Sequence, residues 1–129
     1  MKRKWTTPKI DRDEIGRISD DIFSTGHKKT GDIALVFEEI ASNIAKHAYK
    51  GCFDKKPMHF ELQISKFFGN VTMTFFDYGE EFDPTKYDLC APVPTQVGGH
   101  GLRIVRCLSK EMEYRRMKKP PANRRKIRL

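Results

Sequence analysis

Residues 38–49 read EEIASNIAKHAY, from Glu38 to Tyr49. Ile40, Ile44 and Ala48 recur at helical spacing, and Ile33 and Phe37 extend the series upstream. Glu39, Asn43 and His47 fall four apart. At about 100° per residue they share a stripe roughly 80° wide, bordered directly by Ile40 and Ile44. A polar stripe beside an apolar face belongs at the rim of a core, where a helix covers a sheet and leaves a cleft. The stripe alone also fits a solvated helix flank. The helix is expected to start near Thr30 or Asp32, with Thr30 as a plausible N-cap, and to stop before Gly51, a good C-cap residue.

Upstream, Ile10, Ile15, Ile18, Ile22 and Phe23 predict an amphipathic helix from Lys9 to about Ser24, closed by TGHKKTG. RKWTT near the N-terminus reads as an edge strand. Downstream the period changes. MHFELQIS places Met58, Phe60, Leu62 and Ile64 on one face, and NVTMTFFDY places Val71, Met73 and Phe75 on another. With FFGN between them these two runs predict a β-hairpin. Residues 79–100 are rich in Gly and Pro without a period, and read as a long loop of the functional kind. GLRIVRCLS predicts a short helix with Leu102, Val105 and Leu108 inward. EMEYRRM and NRRKIRL predict two last strands around a KKPPA turn. The order predicts an α+β fold, a two-layer α/β sandwich in one domain over residues 1–129.

The chain has 129 residues, 38% hydrophobic and 33% charged, which excludes a disordered class. No apolar run approaches the ~18 residues of a membrane helix, so no membrane partner is expected. The basic N-terminus is followed by no apolar core of a leader, and the expected compartment is the cytoplasm. Three cysteines, Cys52, Cys90 and Cys107, without CxxC spacing are expected to be free buried thiols rather than disulfides or zinc ligands. The net charge is +8, with a basic C-terminus from Arg115 to Arg128. That charge suits an acidic partner, a polyphosphate or nucleic acid, or simply a solvated surface. No nucleic-acid recognition motif accompanies it, so nucleic acid is the minor reading.

Two further stretches carry candidate chemistry. In FFDYGEEFDP, Asp77 ends an apolar run and Gly79 lets the backbone turn away. A carboxylate at a strand end accepts a hydrogen bond from an exocyclic amine, which separates adenine from guanine, whose carbonyl stands at that position. An ordinary Asp-x-Gly turn is the alternative. In QVGGHGLRIV, Gly98, Gly99 and Gly101 precede a helix, where backbone N–H groups approach phosphates closely. A hinge is the alternative. A P-loop is excluded: Gly26 and Gly31 have its spacing, but Asp32 and Ile33 stand where Lys and Ser/Thr belong.

In order and spacing these three stretches resemble the nucleotide site of the GHKL ATPase superfamily, which includes gyrase and the histidine kinases. More closely, the chain is similar to the bacterial anti-sigma-factor serine/threonine kinases. EEIASNIAKHAY matches that family's E-x-x-x-N-x-x-x-H-A-Y box, DYGEEFDP its D-x-G-x-x-F-D-P box, and GGHGLRIV its G-G-x-G-L-x-[IL]-V box, over about residues 9–129.

The resemblance implies a Bergerat-type sandwich, with a mixed, largely antiparallel sheet covered on one face by helices. It implies ATP and Mg²⁺ as cofactors. Glu39 would be the general base and Asn43 the Mg²⁺ ligand. Nucleotide contacts would come from Asn43, Lys46, His47, Asp77, Gly79, Phe82, Gly98, Gly99, His100, Gly101 and Leu102. Asp77 would hold the adenine amine and Gly99 and Gly101 the phosphates. For His47 a structural role closing the helix is also open, and for Lys46 a solvated one. Residues from about 80 to 97 would form a short ATP lid. The implied activity is phosphorylation of a small anti-anti-sigma (STAS) protein, with a sigma factor as a second partner and a homodimer as a common state. A non-catalytic, partner-sequestering module of the same fold is the alternative. Two departures stand out. Glu81 takes the place of a second glycine in the Asp box. The last threonine of the chain is Thr95, so a threonine contact from the final strand to the Asp must be missing or replaced.

Overall fold

A computed structural model describes residues 1–50, 57–86 and 101–129. Its elements are β1 (Lys2–Thr7), α1 (Arg12–Ser24), α2 (Thr30–Asn43), β2 (Met58–Ile64), β3 (Val71–Asp77), α3 (Gly101–Leu108), β4 (Glu111–Lys118) and β5 (Pro121–Arg128). One 3₁₀ turn, Pro84–Lys86, follows β3. The strands form a single sheet in the order β1-β2-β3-β5-β4, antiparallel at every pairing. The sheet expected to be mixed is therefore wholly antiparallel among the described residues. The α+β architecture itself is as the sequence predicts.

Alternation sets the register. Met58, Phe60, Leu62 and Ile64 of β2 and Val71, Met73 and Phe75 of β3 all point into the core. Phe60 lies opposite Phe75 and Leu62 opposite Met73. Phe37 of α2 lands on this surface, 4.9 Å from the Phe60 ring and 6.1 Å from Phe75, while Trp5 stacks on Phe60 at 5.2 Å. Ile33, Val36, Ile40 and Ile44 complete the α2 face, and Ile18 and Ile22 bring in α1. Phe23, read as part of the apolar series, is exposed. The alternate sheet residues, including Glu61, Gln63, Thr72, Thr74, Arg124 and Lys126, line the side away from this core.

Helix ends follow side-chain chemistry where it is available. Asp11 caps α1, its carboxylate accepting from Glu14 N at 2.9 Å. Gly26, at φ +69°, turns the chain out of α1. The expected cap of α2 is corrected: Lys29 is the N-cap, with no side-chain bond, and Thr30 is already helical. At its far end α2 runs into a π turn, Ile44–Ala48, in which Tyr49 N donates to Ile44 O at 3.0 Å. The left-handed residue that ends it is Lys50, at φ 51°, one position before the glycine expected to do so. The last hairpin is longer than expected, with the turn residues Lys118, Pro121 and Ala122 paired in the strands. Cys107 is an exposed free thiol, not a buried one, while Cys52 and Cys90 lie outside the described residues. Among the described residues, no helix is long and apolar enough to cross a membrane.

Candidate functional site

The candidate site lies where the end of α2, the start of α3 and the segment leaving β3 approach one another. Glu39 and Asn43 stand one turn apart on α2, both half-buried. Asn43 donates its side-chain amide back to Glu39 O at 2.7 Å. With the nitrogen committed to the helix, Oδ1 is the acceptor left for a ligand. A single amide oxygen, completed by phosphates and waters, is the kind of hard donor that Mg²⁺ accepts.

Glu39 reaches across to α3. A Cβ on Gly101 would coincide with the Glu39 carboxylate, so glycine at this point leaves room for the end of that side chain. The carboxylate thereby lies at the positive end of α3. Leu102, the next residue, is buried and takes part in the core. Gly98, Gly99 and His100 lie outside the described residues, as does most of the expected lid.

The turn after β3 is fastened to the end of α2. Glu80 N donates to Ala48 O at 2.8 Å, and a Cβ on Gly79 would stand 2.5 Å from that same oxygen. Only glycine allows this approach. Tyr49 makes the second attachment. Its hydroxyl donates to Pro57 O at 2.6 Å and accepts from Tyr78 N at 2.8 Å. Burial pushes the Tyr49 phenol up to about 12, so it stays protonated through neutral pH.

Phe82 returns from the turn, half-buried against the core, and stacks on the His47 ring with centroids 4.6 Å apart. Burial, aided by neighbouring Lys46, lowers the His47 pKa and favours the neutral ring. This stacking gives His47 a packing role at the end of the helix. Lys46 is exposed and lines a different groove, between α1 and α2, with Ile10, Ile15, Glu38 and Ser42.

Asp77 is wholly buried at the end of β3, and its carboxylate is engaged on both oxygens. Oδ1 accepts from Gly79 N at 2.9 Å and from Asn123 Nδ2 at 2.8 Å. Oδ2 is paired with the Arg125 guanidinium. Asn123 and Arg125 come from β5, where Asn123 lies directly opposite Asp77. Arg116 and Tyr114 of β4 brace Asn123 in turn, both donating to its Oδ1. These four residues and Tyr49 carry the base end of the cleft, and sequence reasoning assigned none of them. A signal was present. Asn123, Arg125 and Ile127 share the parity of the inward face, and an arginine at an inward position requires an anion.

The two ends therefore differ in fit. The α2–α3 end offers an amide oxygen, a carboxylate and a glycine approach, which suit a metal-bound triphosphate. The β3–β5 end offers an aspartate with no exposed surface, which does not suit the reading of an adenine amine.

Comparison with known proteins agrees with this frame. The family model described as histidine kinase-like ATPase domain matches residues 12–128. No curated protein sequence matches significantly. Among solved structures, the histidine kinase domain of the blue-light-activated histidine kinase EL346 from Erythrobacter litoralis is similar, with a TM-score of 0.56 at 18% identity. The match covers 89% of this chain and 58% of that one, so this chain spans little more than half of that structure. The likeness of fold and a family match running from α1 to β5 lead to one assignment: the chain belongs to the histidine kinase-like ATPase domain family.

Proposed function

We propose that the chain is an ATP-dependent protein serine/threonine kinase of the anti-sigma-factor type, acting on a small anti-anti-sigma (STAS) protein that competes with a sigma factor for binding to this chain. The observation that carries this reading is the Glu39–Asn43 pair on α2, with Glu39 resting on Gly101. ATP bound with Mg²⁺ supplies the phosphoryl group and neutralises its charge. Asn43 Oδ1 holds the metal. Glu39 accepts the proton of the substrate hydroxyl and orients that oxygen. The two groups stand one turn apart on α2, and their positioning contributes most of the rate.

A second reading has its own support. The buried, internally paired Asp77 favours a module that sequesters its partner and uses nucleotide weakly or not at all. Glu39→Gln separates the two. Under the kinase reading, transfer of labelled phosphate to a STAS protein falls by about 100-fold or more, while binding of that protein is retained. Partner binding by the wild type with no transfer at all would leave sequestration as the function. The basic β4–β5 hairpin suits an acidic protein surface in either case.

A further inference from the structure

The inward positions of β5 are Asn123, Arg125 and Ile127, followed by Leu129 at the end of the chain. Ile127 lies opposite Met73, as a core position should. One position along, Arg125 lies opposite Phe75, and its side chain is buried where its neighbours are apolar. A guanidinium survives there only if it is paired. It is held on three sides. Nη1 pairs with Asp77 Oδ2, Nη2 donates to Phe82 O at 2.8 Å, and the Tyr114 ring lies 5.6 Å away.

Asp77 cannot easily be released from this arrangement. Asn123 Nδ2, which binds its other oxygen, also donates to Glu80 O at 2.8 Å, and Arg116 Nη1 donates to Gly79 O at 2.8 Å. Asn123 and Arg125, which hold the carboxylate, thus join Arg116 in holding the carbonyls of Gly79, Glu80 and Phe82 on β4 and β5. An incoming exocyclic amine would offer Asp77 one neutral hydrogen bond. Asp77 has no exposed surface, so the amine reaches it only by parting it from a partner, and displacing Arg125 would strand a charged group in the core.

We propose that Arg125 is the specificity-determining residue of the cleft. By pairing with Asp77 it withdraws the acceptor that would read adenine, so the chain takes nucleoside triphosphates through their phosphates, without preference between adenine and guanine. This inference rests on the reading of the cleft as a nucleotide site. A site that does not hydrogen-bond a distinguishing group discriminates poorly against analogues that differ there.

The test is calorimetric titration of the full chain with ATP, GTP and inorganic triphosphate, each with Mg²⁺. The proteins are wild type, Arg125→Met, which keeps the bulk and removes the charge, and Asn43→Ala. Wild type is expected to bind ATP and GTP within about threefold of each other, and Arg125→Met to favour ATP by about tenfold or more. A wild type that favours ATP by about tenfold overturns the inference, as does an Arg125→Met protein whose ATP-to-GTP ratio is unchanged. Should Arg125→Met fail to fold, the wild-type ratio still decides. The underlying reading fails differently. Binding of no triphosphate by any of the proteins removes the nucleotide site and the inference together. ATP-selective binding lost in Asn43→Ala leaves the site standing and removes only the role of Arg125.

Discussion

At the α2 end of the cleft, among the described residues, Asn43 commits only its amide nitrogen and Glu39 makes no more than a close approach to Gly101. At the β3 end, Asp77 gives both carboxylate oxygens to Gly79, Asn123 and Arg125, and those partners are themselves held by β4. The residue types are alike, a carboxylate and an amide in each place. What differs is whether the fold consumes their hydrogen-bonding capacity. Polar groups left spare beside a core are available to a ligand, while polar groups fully paired within one serve to hold strands together. The contrast teaches that a motif can keep its letters and change its work, because the partner that decides the matter sits elsewhere in the chain.

If the β3 end is structural, breaking it should cost the most. Asp77→Ala leaves the Arg125 guanidinium buried without its counter-ion, and is expected to lower unfolding free energy by about 3–5 kcal/mol in urea. The pair Asp77→Ala with Arg125→Met should recover a large part of that loss. Failure of the double substitution to recover any would mean that the ion pair is not the main cost.

Next in size is the Tyr49 attachment. The folded pKa of about 12 lies above the ~10 of an unfolded tyrosine. Its contribution is therefore fully present below pH ~10 and is lost as pH rises through the folded value, by about 2–3 kcal/mol in all. Urea midpoints measured between pH 8 and 12 should fall less steeply in Tyr49→Phe than in wild type. Parallel curves would show that another group carries the alkaline loss.

The smallest effects come from comparing one substitution at the two ends. Gly79→Ala drives a methyl into the Ala48 backbone, which cannot give way, and should cost about 1–3 kcal/mol. Gly101→Ala meets only the far end of the Glu39 side chain. It should cost under about 1 kcal/mol, because a flexible side chain moves aside more readily than backbone. Phosphate transfer should nevertheless fall, since the displaced group is the proposed base. Equal losses of stability at both glycines would erase the distinction between a packed end and an open one.

Much of this architecture was legible in the sequence. The alternation from Met58 to Ile64 and from Val71 to Phe75 set both strands and their inward faces, because a strand's period is short and its register is shared across a hairpin. The apolar series from Ile33 to Ile44 likewise set α2. Other features escaped for physical reasons. Lys29 takes the N-cap position because the chain turns there through His27, whose ring accepts from Lys29 N at 3.1 Å, and no propensity signals that. The partners of Asp77 lie 46 and 48 residues away, so only the parity of β5 hinted at them. Glu39 and Asn43 were readable as a stripe because both precede the π turn. His47 lies within it, and its stacking on Phe82 depends on a turn wider than the helical wheel assumes.

That π turn has a consequence in the arithmetic of insertions and deletions. A π turn is an α-helix carrying one residue too many. Removing Ala45 would let the hydrogen bonds close at ordinary spacing, so the helix itself would tolerate the loss. Everything beyond it would be rephased. Tyr49 would swing away from Pro57 and Tyr78, and Ala48 would no longer meet Gly79 and Glu80. The surplus residue thus acts as a spacer, setting the angle at which the helix delivers its last side chains to the sheet.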